Sequence, residues 1–118
     1  PTAMIAALHA GLGHVLDEGL EQAWARHAAC GEALQAGFEK LGFQLLAADG
    51  NRLPQLTSVG VPDEAVVRRA LLDEFGIEIG GGLGAWAGSS WRVGCMGHGA
   101  RQRNVTLLLA AVGELLGR

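Results

Sequence analysis

At 118 residues the chain has the length of one domain, and its 49% hydrophobic content is ample for a packed core. Nine Lys and Arg against twelve Asp and Glu leave a net charge of -3, and the pI is near 5.7. That balance argues against nucleic acid or an anionic membrane as partner, because both need a concentrated cationic patch.

The first 41 residues are helical in pattern. Ile5, Leu8, Leu12 and Val15 recur at spacings of three and four, giving one apolar stripe. A second stripe, Leu20, Trp24, Ala28, Gly31, Leu34, Phe38 and Leu41, follows Asp17-Glu18-Gly19. The period fits two helices or one bent helix equally well. Gly42 is a natural stop. Alternation with period two then predicts a strand over 43–47, and Asp49-Gly50-Asn51 marks a turn. Thr57, Val59 and Val61 form one face of a second strand, closed by Pro62.

Asp63 is placed to cap a helix that carries Val67, Leu71 and Phe75 and ends at Gly76. A short strand Ile77-Glu78-Ile79 is expected next, then a glycine-rich loop over 80–88, then a strand from Trp91 to Met96. The last helix starts near Ala100 and buries Val105, Leu108, Leu109, Val112 and Leu116. This order predicts an α+β sandwich: a small sheet with helices on one face, one domain over 1–118.

No apolar run reaches the ~20 residues of a membrane span. Pro1-Thr2-Ala3-Met4 lacks the basic region of a signal peptide, and a chain that starts with proline reads as cut from something longer. Cys30 and Cys95 do not make a disulfide framework. Both read as small buried apolar residues in a reducing cytoplasm.

Arg92 is the residue best suited to chemistry. In a strand, Trp91, Val93 and Cys95 point one way, toward the helices, and Arg92, Gly94 and Met96 point the other. A planar guanidinium on that open face, beside a glycine, can hold a carboxylate in bidentate fashion. On the strand pattern alone, a surface arginine or one paired with Glu78 is the commoner outcome. Gly80-Gly81-Gly82-Leu83-Gly84-Ala85 fits a dinucleotide pattern only literally, since a strand rather than a helix follows it. Its glycines still call for positive φ or a close approach of backbone, against the alternative of an ordinary flexible connection. His9, His14, His27 and His98 complete no metal-type spacing, and only His98 lies near the Arg92 strand. Trp24 and Trp91 are expected in the core. Trp86, inside the glycine loop, has no evident packing role and is a candidate to line a pocket or meet another chain.

Three segments converge on a family. Asn51 to Pro62, Phe75 to Gly84 and Trp91 to Gly97 resemble the C-terminal domain of class V aminotransferases, nearest in pattern to the alanine–glyoxylate and serine–pyruvate enzymes. The resemblance runs in order over essentially the whole chain. It implies the small, mainly antiparallel domain of a fold-type-I transferase, a homodimer that uses pyridoxal 5'-phosphate. It also implies that Arg92 holds the substrate carboxylate while an amino group moves between alanine or serine and glyoxylate or pyruvate. The resemblance further implies that the lysine carrying the cofactor, and the other cofactor ligands, belong to a preceding large domain. Lys40, the only lysine, matches none of them, and the piece alone is expected to be inactive. Two rival readings are a stand-alone amino-acid-binding module and a desulfurase or phosphoserine aminotransferase of the same superfamily. For a desulfurase, Cys95 inside a strand is a poor nucleophile.

Overall fold

The computed structural model describes residues 1–117. Two helices open the chain, α1 (Thr2–Glu18) and α2 (Leu20–Lys40), separated by Gly19 at φ 82° and ψ 141°. That positive φ is open to glycine and strained for other residues, so the stripe breaks there into two helices. Helix α2 ends in a Schellman motif. Gly42 (φ 81°) donates to the Glu39 carbonyl at 2.9 Å, and Phe43 donates to the Phe38 carbonyl at 3.0 Å. The Phe43 ring stands edge-on to Phe38 at 5.7 Å, the apolar contact that accompanies this stop.

The remaining elements are β1 (Gln44–Leu45), β2 (Leu56–Gly60), α3 (Glu64–Phe75), β3 (Gly80–Gly81), β4 (Ser90–Gly94) and α4 (Gln102–Leu115). The four strands pair antiparallel in the order β1-β2-β4-β3. Helices α2, α3 and α4 pack together against one face, which is the expected α+β arrangement. Thr57 and Val59 of β2, Val61 just beyond it, Trp91 and Val93 of β4 and Cys95 after it all turn into this layer and are buried. Trp91 is fully buried beside Phe38 and Phe43, and its indole N–H donates to the Glu64 carbonyl at 3.1 Å. A buried tryptophan thus keeps its apolar contacts without orphaning its one donor.

Several expectations need correction. Trp24 is not core: it is 63% exposed, because α2 buries only its C-terminal half, Cys30, Gly31, Leu34 and Phe38. Helix α1 buries no residue, so its stripe of Ile5, Leu8, Leu12 and Val15 faces outward. No strand forms at Ile77–Ile79. The ladder to β4 runs through Gly80 and Gly81, while Ile77 and Ile79 pack against the core without backbone pairing. The first strand shrinks to Gln44–Leu45, because the chain turns at Ala48, whose carbonyl accepts from Asn51 at 3.1 Å. The last strand spans Ser90–Gly94 rather than Trp91–Met96. Asp63 stands at the start of α3, but its backbone is left-handed (φ 52°) and its side chain caps nothing. An N-cap side chain normally reaches the first-turn amides from extended backbone, which this φ forbids.

Candidate functional site

Strand β4 places Arg92 on the face opposite the helices. Its register partners are Ser58 on β2 and Gly80 on β3, so it lies between a small hydroxyl residue and a bare backbone. A Cβ at Gly80 would come within 3.4 Å of Arg92 Nη2, so the guanidinium lies over this glycine. Arg92 Nε donates to the Gly81 carbonyl at 2.8 Å, which fixes the plane of the head group. Among the described residues Arg92 stands in no ion pair, and Glu78 instead lies with Arg68 and Arg69 around a separate pocket. Arg92 lines a cleft of about 270 Å³ together with Leu46, Ser58, Leu83, Trp86 and Ser90.

The glycine loop is a built turn rather than a slack connection. Gly82 N–H donates to the Ser90 carbonyl at 2.7 Å. The Trp86 carbonyl accepts from Ser89 N–H (3.2 Å), Ser89 Oγ (3.2 Å) and Ser90 Oγ (3.0 Å). A Cβ on Gly82 would overlap both the Trp86 carbonyl oxygen and Ser90 Oγ. Glycine at 82 is therefore required by close approach. The result is a firm mount for Trp86, whose side chain is 55% exposed yet walls the Arg92 cleft. Ser58 and Ser90 were not singled out from sequence. For Ser58 the signal was there: the alternation that buries Thr57 and Val59 turns residue 58 to the open face.

His98 does not join this cleft. It lines a different one, of about 670 Å³, with His14, Glu18, Arg26, His27 and Arg101. There Arg26 is wholly committed: to the Glu18 carboxylate, and to the carbonyls of Gly97 (2.8 Å) and Ala100 (2.7 Å). His27 Nδ1 lies 2.6 Å from the Ala23 carbonyl and Nε2 accepts from Gly97 N–H at 2.9 Å. These contacts tie α1 and α2 to the segment leaving β4. Among the described residues no group of three His, Cys, Asp or Glu side chains could hold a metal ion.

The two cysteines are free and buried. Burial pushes the Cys95 thiol up from its ordinary value, reinforced by the neighbouring Cys30. A thiol so placed is a poor nucleophile. Lys40 is exposed in the last turn of α2 and takes no part in the Arg92 cleft. No helix among the described residues is long and apolar enough to cross a membrane.

No protein-family model matches the chain. Individual proteins do. The (S)-ureidoglycine–glyoxylate transaminase of Bacillus subtilis (strain 168) is 41% identical over 120 residues, covering 99% of this chain and 29% of that protein. The alanine–glyoxylate aminotransferase of Callithrix jacchus is 37% identical over 120 residues, covering 98% of the chain and 29% of its own length. Among solved structures, the ureidoglycine–glyoxylate aminotransferase from Bacillus subtilis superposes with a TM-score of 0.91 at 41% identity, over 98% of this chain and 30% of that one. The chain thus spans about 30% of the length of the relatives it matches. By sequence and by fold, the chain is similar to one stretch of these glyoxylate aminotransferases and shares the α+β fold of that stretch.

Proposed function

We propose that residues 1–118 form the C-terminal domain of a pyridoxal-phosphate-dependent aminotransferase, and that Arg92 binds the substrate carboxylate. The observation that carries this reading is a guanidinium oriented by the Gly81 carbonyl, in no ion pair among the described residues, on a residue that lines a small cleft. One carboxylate satisfies such a fork with two charge-assisted hydrogen bonds. Among the described residues Arg92 is the only charged one lining the cleft; its other walls are aliphatic, aromatic and hydroxyl-bearing. A small amino acid or 2-oxo acid with one carboxylate fits this lining, and a second acid group would find no partner. Alanine or serine as donor and glyoxylate or pyruvate as acceptor meet that description. The two relatives named above share glyoxylate and differ in the donor, ureidoglycine in one and alanine in the other.

When bound, pyridoxal phosphate supplies the electron sink for negative charge at the substrate Cα. The residues of this chain do not provide its covalent anchor, since the single lysine is exposed and outside the cleft. What they do is position. Arg92 fixes the carboxylate, and through it the direction of the bonds at Cα. Leu46, Leu83 and Trp86 bound the space for the side chain. Gly80 keeps the approach to Nη2 open.

The outward stripe of α1, continued by Leu20 and Trp24, is the surface against which the large domain of the same protein packs; it is too apolar to stay solvated without a partner. Homodimerisation of the whole enzyme rests on family resemblance, and a cytoplasmic location on the two free thiols. The 118-residue piece alone carries no transamination activity.

The test is Arg92→Ala in the full-length enzyme. Losing two hydrogen bonds to a charged group costs about 3–4 kcal/mol, or a few hundredfold in kcat/KM for amino acid and oxo acid alike. Cofactor content should stay near normal. Steady-state kinetics within a fewfold of the parent enzyme would overturn the assignment.

A further inference from the structure

We propose that Ser58 is a second binding residue for the substrate carboxylate, donating a hydrogen bond beside Arg92. The inference rests on the reading of Arg92 given above and extends it to a residue on another strand. Ser58 and Arg92 are direct cross-strand partners in the β2–β4 ladder. Side chains so paired start about 5 Å apart at Cβ and leave the sheet on the same face. Thr57 and Val59 on either side are buried against the helices, so Ser58 is turned away from the core with Arg92. Both line the same cleft.

The hydroxyl has nothing else to do. The Ser58 carbonyl accepts from Leu46 N–H at 2.9 Å, but among the described residues no hydrogen bond of its Oγ is found. The contrast with Ser89 and Ser90 is informative, because both of those hydroxyls are spent on the Trp86 carbonyl. Ser58 is half-buried in a pocket whose one charge among the described residues is a guanidinium, so the acceptor that suits it is an anionic oxygen shared with that guanidinium. A carboxylate has about four lone-pair sites, of which a bidentate arginine uses two. The remaining sites can accept from a hydroxyl on the neighbouring strand. Gly80 flanks Arg92 on the other strand and offers no side chain, so Ser58 is the only cross-strand partner able to donate in this way.

The experiment measures KM and kcat for alanine and glyoxylate, and Ki for propionate, a carboxylate that binds without reacting, in the full-length enzyme. Ser58→Ala should raise both KM values and Ki about five- to tenfold and leave kcat within about twofold, the signature of lost ground-state binding. Ser58→Thr, which keeps the hydroxyl, should recover most of the affinity, and thermal melting should be unchanged in both variants. If Ser58→Ala leaves the propionate Ki unaltered while Arg92→Gln raises it strongly, the proposal for Ser58 falls and Arg92 stands. If neither variant moves that Ki, the carboxylate site itself has been misplaced. If Ser58→Ala lowers kcat and spares Ki, the hydroxyl serves a later step and the proposal is wrong.

Discussion

The N-terminal hairpin and the sheet layer carry the same kind of apolar periodicity and have opposite fates. In the C-terminal half of α2 the stripe is buried against β1, β2 and α4, with Leu34 and Phe38 almost inaccessible. In α1 and the first turns of α2 the same pattern of Ile, Leu, Val and Trp stands exposed. The period of a stripe tells which residues share a face. It does not tell whether this chain supplies the surface that covers them. Here the sheet covers one stretch, and no element among the described residues covers the other.

Two tryptophans put the contrast to the test. Trp91 is wrapped by Phe38 and Phe43 and hydrogen-bonded to α3, so Trp91→Ala removes the centre of the core. The expected loss is about 3–5 kcal/mol, a large part of the stability of a domain this size, read as a lower urea midpoint for the 118-residue chain. Trp24→Ala in the same chain should change stability by no more than about 0.5 kcal/mol. In a longer protein that covers α1 it should cost clearly more. Equal losses for the two variants in the short chain would show that α1 already packs on something within it.

Next in size is Gly82→Ala. The new methyl would collide with backbone and with Ser90 Oγ, so the turn must open. About 1–3 kcal/mol of destabilisation is expected from such overpacking, with the largest amide shifts at residues 82–90. Gly84→Ala, where a Cβ meets no atom within 4 Å but φ is 57°, carries only the milder cost of a left-handed alanine. If the two substitutions prove equally harmless, the turn is not the tight mount for Trp86 described above.

How far the sequence could be read follows the same line. The sandwich, the open-face position of Arg92 and the burial of Trp91 were legible because alternation is a local property of a strand. The Schellman stop at Gly42 and the left-handed end at Gly76 were legible because glycine there has a backbone reason. Strand β3 was misplaced onto Ile77–Ile79, because pairing depends on what lies beside a segment, and Gly80-Gly81 has no β propensity to show. Trp24 was misplaced for a related reason: it lies on a helical stripe, but no element among the described residues covers it. Alternation along β2 could have turned Ser58 to the open face, but only the register across β2 and β4 gives it Arg92 as neighbour, and Ser90 carries no pattern of its own.

The smallest expected effect concerns the junction of the two regions. Glu18, at the end of α1, is bonded to Arg26, which also holds the carbonyls of Gly97 and Ala100. The Arg26 guanidinium holds the Glu18 carboxyl below its ordinary value of 4.5, chiefly through the hydrogen bond. A folded pKa lowered in this way makes a stabilising contribution that is present above the ordinary value and lost as pH falls through the folded one. Below about pH 4.5 the tether of α1 should therefore weaken while the sheet layer stays intact. Hydrogen exchange read by residue would show α1 amides losing protection first as pH is lowered, after correction for intrinsic rates. In Glu18→Gln the helix should be equally loose at pH 4 and pH 7, with protection of the β4 amides unchanged throughout. If protection in α1 and in β4 fell together, the hairpin and the sheet would be one cooperative unit and the contrast between them would dissolve.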